Sequence, residues 1–146
     1  MNFNSAQKDI FNALLNGENV RKFDIDNDYT FITPNGFYGF VFPKVMLFIN
    51  TDRIQTSRAI DINSVVNQEN ECVLTDECKI LYRPCKGYAQ KLKRGETEIY
   101  INEKFLKWFQ NPKFYCAAPN SLVVVTESTS ANKNAIVGAI CPIRIS

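Results

Sequence analysis

The sequence predicts an α+β fold, with two helices packed on one face of a mainly antiparallel sheet. Three observations carry this. Apolar residues recur at helical spacing near the N-terminus and again near residue 105. Between and after them the pattern alternates with the period of a strand. The order strand, helix, strands over residues 97–146 also repeats the order of the first third of the chain.

Ala6, Ile10, Ala13 and Leu14 form one stripe of a helix expected over Ser5–Leu15, with Phe11 beside it. Asn4 or Ser5 supplies an N-terminal cap, and Asn16-Gly17 a stop. Lys8, Asp9 and Asn12 are left on the outer face. From Val20 the period becomes two, with Val20, Phe23 and Ile25 expected on one side before the Asp26-Asn27-Asp28 turn. Tyr29–Thr33 and Phe37–Phe42 read as strands of a hairpin, because Pro34-Asn35-Gly36 suits the positive φ of a tight turn. Phe37–Phe42 is apolar on both faces, which places it mid-sheet. Val45–Ile49 reads as a further strand.

The middle is less regular. Ile60, Ile62 and Val65-Val66 fit a strand or a short helical turn, and Arg58–Ile62 is taken as a strand. Cys72–Leu74 and Lys79–Tyr82 are expected as short strands around a Thr75-Asp76-Glu77 turn. Pro84–Gly95, polar and basic, fits one helical turn or a loop.

Thr97–Ile101 is a strand, and Asn102 caps a second helix expected over Glu103–Gln110. Phe105, Leu106 and Phe109 are its buried stripe, Trp108 lies at the margin, and Lys104 and Lys107 share an outer face. Asn111-Pro112 ends it. Lys113–Ala117, Leu122–Thr126 and Ala135–Ile140 are strands, and Ile143-Arg144-Ile145 continues or adds one.

The 146 residues fit one domain, with half-repeats over about residues 1–54 and 97–146 and linking strands and a basic loop over 55–96. The apolar run at Ser121–Val125 is too short to span a bilayer. The opening Met1-Asn2-Phe3-Asn4 lacks the shape of an export signal, so a cytoplasmic protein is expected. The five cysteines (Cys72, Cys78, Cys85, Cys116, Cys141) are then expected as free thiols. Spacings of six and seven positions among the first three, with no histidine in the chain, argue against a zinc site.

The absence of histidine also removes the commonest general base, and no phosphate loop or dinucleotide fingerprint is present. Asp24, Asp26 and Asp28 would suit a hard cation in a metal-dependent phosphodiesterase, but their spacing equally fits a turn. No enzymatic activity and no cofactor are expected. Net charge is only +2, yet nine Lys/Arg face five acids between Cys72 and Lys113, which hints at an anionic partner.

Three stretches carry a family resemblance. Met1-Asn2-Phe3, with a helix ending Ala13-Leu14-Leu15, resembles the start of bacterial beta clamps. Ile101-Asn102-Glu103-Lys104-Phe105-Leu106 resembles the strand-to-helix step of a clamp half-repeat. Val137–Ile145, with Pro142-Ile143-Arg144, is similar to the terminal clamp strand. The resemblance, which covers about the first 45 and the last 48 residues, is to a single domain of the DNA sliding clamps, of the kind a phage or mobile element would carry. It implies a processivity-type accessory of replication. Its helices would present Lys8, Asn12, Lys104 and Lys107 to the backbone of duplex DNA, and the replication machinery would supply protein partners. A bacterial clamp subunit has three such domains, so a ring of this chain would need six copies. Lys86, Lys91, Lys93 and Arg94, with Tyr82 and Tyr88 interleaved, are further nucleic-acid candidates; a solubilising loop has the same composition. The alternative function is a small protein-binding or inhibitory module using Phe37–Phe48 or the Trp108/Phe109 edge without touching DNA.

Overall fold

The computed structural model describes residues 1–52, 54–57, 61–81, 87–128 and 134–144, with the backbone alone described over 79–81. It is an α+β fold built on one ten-stranded, mostly antiparallel sheet. Helix α1 spans Phe3–Leu15. It is followed by β1 (Arg21–Asp24), β2 (Tyr29–Thr33), β3 (Tyr38–Pro43) and β4 (Gln55–Ser57). Then come β5 (Glu71–Leu81), β6 (Gly87–Arg94), β7 (Thr97–Asn102), β8 (Lys113–Tyr115), β9 (Val123–Glu127) and β10 (Ala135–Ile140). A 3-10 helix at Glu103–Trp108 separates β7 from β8.

Strand order is β4-β1-β2-β3-β10-β9-β8-β5-β6-β7. The meanders β1-β2-β3 and β8-β9-β10 therefore lie in mirrored order about a central antiparallel seam, β3 against β10. Among the described residues, only the β1–β4 pairing is parallel. At the other end the sheet curls, and the Ile143 N–H donates to the Tyr100 carbonyl at 2.7 Å. The far edge, β7, thus meets the segment that follows β10.

The two faces of the sheet do different work. Phe40, Phe42, Val123, Val125 and Ile140 pack with Ile10 and Ala13 of α1 and with Phe105 and Phe109, so both helical segments feed one core. Phe31, Val41, Tyr115, Val124 and Ala139 face the other way in a smaller cluster. This alternation follows from the two-residue period of strands.

Several sequence expectations change. Asn2, rather than Asn4 or Ser5, caps α1, its Oδ1 accepting from the Ser5 N–H at 3.1 Å. Val20 packs on the helix side, whereas Phe23 and Ile25 pack on the opposite face. Val45–Ile49 is not a strand. It holds a 3-10 turn at Lys44–Met46, and its backbone groups find a side chain, Gln7, instead of a neighbouring strand. The strand expected at Arg58–Ile62 falls partly on residues 58–60, outside those described; Asp61 and Ile62 are not in a strand, and Gln55–Ser57 forms one instead.

Thr75-Asp76-Glu77 is no chain reversal but an irregularity inside the continuous β5. The Gln90 side-chain amide donates to the carbonyls of Thr75 and Glu77, replacing the ladder bonds lost there. The basic segment expected as a turn or loop is strand β6 over Gly87–Arg94, with Pro84, Cys85 and Lys86 outside the described residues. The second helix is shorter and tighter than expected: it is a 3-10 helix that stops at Trp108, Phe109 is extended, and Asn111 takes φ +44° ahead of Pro112.

Candidate functional site

Two elements place the residues expected to meet DNA. On α1, burial of Ala6, Gln7, Ile10 and Ala13 leaves Lys8 and Asn12, one turn apart, exposed to solvent. On the 3-10 helix, three residues per turn stack Lys104 above Lys107 on the exposed side, while Phe105 is buried. Each lysine lies over the ring of the next residue: Lys104 Nζ is 5.2 Å from the Phe105 ring centre, and Lys107 Nζ is 5.1 Å from that of Trp108.

Tyr38 couples the two segments. Its ring stacks on Phe105 at 4.3 Å, and its hydroxyl donates to Asp9 Oδ2 of α1. Burial, and the neighbouring Asp9 carboxylate, raise the Tyr38 pKa above its ordinary value. Tyr38, Asn35, Lys104, Phe105, Lys107 and Trp108 line a hollow of about 230 Å³. The described surface of the two helices carries Lys8, Lys104 and Lys107 against Asp9 and Glu103, a small positive balance.

The basic residues of β6 part company. Lys91 is drawn in, its side chain 11% exposed, with Nζ 2.5 Å from Glu77 and 2.8 Å from Glu98. The two carboxylates raise its pKa and already neutralise its charge. Arg94 donates to the Cys116 carbonyl and to Asn70 Oδ1, tying β6 to the β5–β8 region. Lys93 alone of the three is exposed. Lys91 and Lys93, two positions apart, share one face of β6, and what separates them is the pair of carboxylates that meets Lys91; Arg94 lies on the opposite face. Lys86 and Tyr82 lie outside the described residues.

Asp26 Oδ1 accepts from the N–H groups of Asp28 and Tyr29, and Asp24 faces Lys44 at 3.9 Å, so these acids serve a turn and a surface pair. Cys72 and Cys116 are buried, and burial raises both thiol pKa values.

A second surface includes the end of Phe37–Phe48, one of the stretches the sequence offered for protein binding. Gln7 is fully buried, donates to the Met46 carbonyl at 3.0 Å and accepts from the Phe48 N–H at 2.9 Å. It ties to α1 a loop that leaves Val45 95% and Phe48 63% exposed. Phe11 and Leu15, one and two turns beyond Gln7, are also exposed. A polar residue beside an apolar helical stripe was the sequence signal of the tie made by Gln7. Among the described residues, no helix is long and apolar enough to cross a membrane. Comparison of the chain with protein-family models, curated proteins and solved structures found no match.

Proposed function

We propose that the chain is a non-enzymatic, clamp-like domain acting in DNA transactions as a replication or processivity accessory. It touches duplex DNA weakly and without sequence readout, through Lys8, Asn12, Lys104 and Lys107, or works through a protein of the replication machinery. The supporting observation is that both helical segments pack on one face of a continuous sheet whose two meanders are mirrored about the β3–β10 seam. A duplicated unit of one helical segment followed by three strands would produce that order. The exposed lysines then lie on the helix side, where phosphate contacts position a duplex without reading bases.

Few cations release few counterions. Affinity should fall with rising salt with a log–log slope of roughly −2 to −3, about one phosphate for each lysine. Titrating circular and linear duplex at several salt concentrations tests this. A closed ring would retain the circle at salt that strips the linear form, whereas a monomer treats both alike. The paired substitution Lys104→Glu and Lys107→Glu should abolish binding with the fold intact. No binding to either duplex at low salt rules out the DNA reading.

The exposed Val45, Met46 and Phe48, held against α1 by Gln7, favour a second reading. In it the domain binds a protein through that apolar surface and does not touch DNA. Changing Val45 and Phe48 to Ser would then remove partner binding, and the lysine substitutions would not.

A further inference from the structure

Opposite the helices, the β3–β10 seam is built from small residues. Pairing aligns Arg21 with Thr33, Gly39 with Ala139, and Ala139 with Val124, and the Ile32–Phe40 pair of β2 and β3 brings Thr33 next to Gly39, giving a transverse row across β1, β2, β3, β10 and β9. Five adjacent strands span roughly 19 Å. Larger residues flank this row. On one side Phe23 and Phe31 stand with ring centres 5.9 Å apart, and on the other lie Leu122 and Cys141. Phe31 leans over Gly39, where a Cβ atom would sit 2.4 Å from its ring. The result is a trough of about 460 Å³ walled by Phe23, Leu122 and Cys141, with the Phe31 ring, 5% exposed, at its base and the fully buried Ala139 beneath.

Its charge is one-sided. Arg21 stands at the β1 end, exposed, and makes no ion pair among the described residues. None of the residues lining the trough is acidic. A trough lined by Phe23, Phe31, Leu122 and Cys141, with the neutral polar residues Asn19, Thr33 and Asn35 and one unpaired guanidinium at its β1 end, complements a ligand that is apolar over most of its length and anionic at one end.

We propose that this trough binds a medium-chain carboxylate, the acyl chain lying across the seam and the carboxylate paired with Arg21. The proposal does not depend on the DNA reading, since it uses the other face of the sheet. Decanoate below its micelle threshold should bind saturably and shift the backbone amide NMR signals of Arg21, Phe31, Leu122 and Ala139. Decanol, with the same chain and no charge, should bind about tenfold more weakly or worse, for want of the charged hydrogen bonds. Arg21→Gln, an exposed change that leaves the fold intact, should remove that advantage and leave decanol binding unchanged. Leu122→Ala, which removes part of a wall at a half-buried position, should weaken both ligands.

Failure of decanoate to saturate, shifts confined to another surface, or an Arg21→Gln protein that still prefers decanoate to decanol would each overturn the assignment. So would an apolar peptide that occupies the trough and is not displaced by decanoate.

Discussion

At the scale of single residues, close approach at the seam is the most exacting demand. A Cβ on Gly138 would lie 2.6 Å from the Gly39 carbonyl oxygen and 2.8 Å from the Phe109 ring. The ring can turn, but a backbone oxygen within a paired strand cannot, so Gly138→Ala should cost about 1–3 kcal/mol. Urea unfolding reads this as a lower midpoint with an unchanged m-value; a midpoint equal to wild type would show that the seam relaxes. Gln7 is the second such residue. Gln7→Leu keeps the helix but strips the Met46 carbonyl and the Phe48 N–H of their partner. The expected loss is about 1–3 kcal/mol, with faster amide exchange confined to residues 46–49 as the local signature. Helical spacing sets Gln7 beside the apolar stripe of Ala6, Ile10 and Leu14, but it does not report what meets the side chain there.

At the scale of elements, Tyr38 joins β3 to both helical segments, and pH tests that joint. Its folded pKa is raised above the ordinary 10.0, so the folded state holds the hydroxyl proton more tightly than the unfolded chain does. The stabilisation is complete below pH 10 and is lost as pH climbs from there towards the raised folded value. Lys91, raised above its ordinary 10.5 by Glu77 and Glu98, acts in the same direction. Stability should therefore decline above pH 10, and Tyr38→Phe should flatten part of that decline while Lys91→Met flattens another part. An alkaline profile unchanged by Tyr38→Phe would mean that the Asp9 hydrogen bond does not hold α1 in place. The elements themselves were unequally legible. The β2–β3 hairpin and the last two strands were read within a residue or two, since their apolar alternation and turn residues are local. Strand β6 was not, because its charged outer residues hid a buried Ala89 and Leu92.

At the scale of the whole molecule, one sheet carries both meanders, and long-range pairings such as β3–β10 join residues about a hundred positions apart. Unfolding should be a single transition, with Trp108 fluorescence and far-UV circular dichroism coincident in urea. Two separated transitions would instead mean that the β5–β6–β7 end melts on its own. Folding should be slow for the chain's length, on the order of milliseconds to seconds, because non-local pairs form only after large loops close. Mass in solution separates two forms of the proposed function: a closed ring requires six copies, whereas a protein-binding module works as a monomer or dimer.

The α+β class, the apolar stripes of both helical segments, the Asn35-Gly36 reversal and the exposed pair Lys104 and Lys107 were all legible in the residues alone. Each of these depends on spacing over a few residues, which sterics and hydrogen-bond geometry convert directly into local structure. Only the tertiary structure decided the fates of Lys91 and Arg94, the loop held by Gln7, and the trough beside Arg21. Those depend on which strands become neighbours, and pairing between distant segments is set by the competition of all their buried surfaces at once, a quantity that no short window of sequence contains.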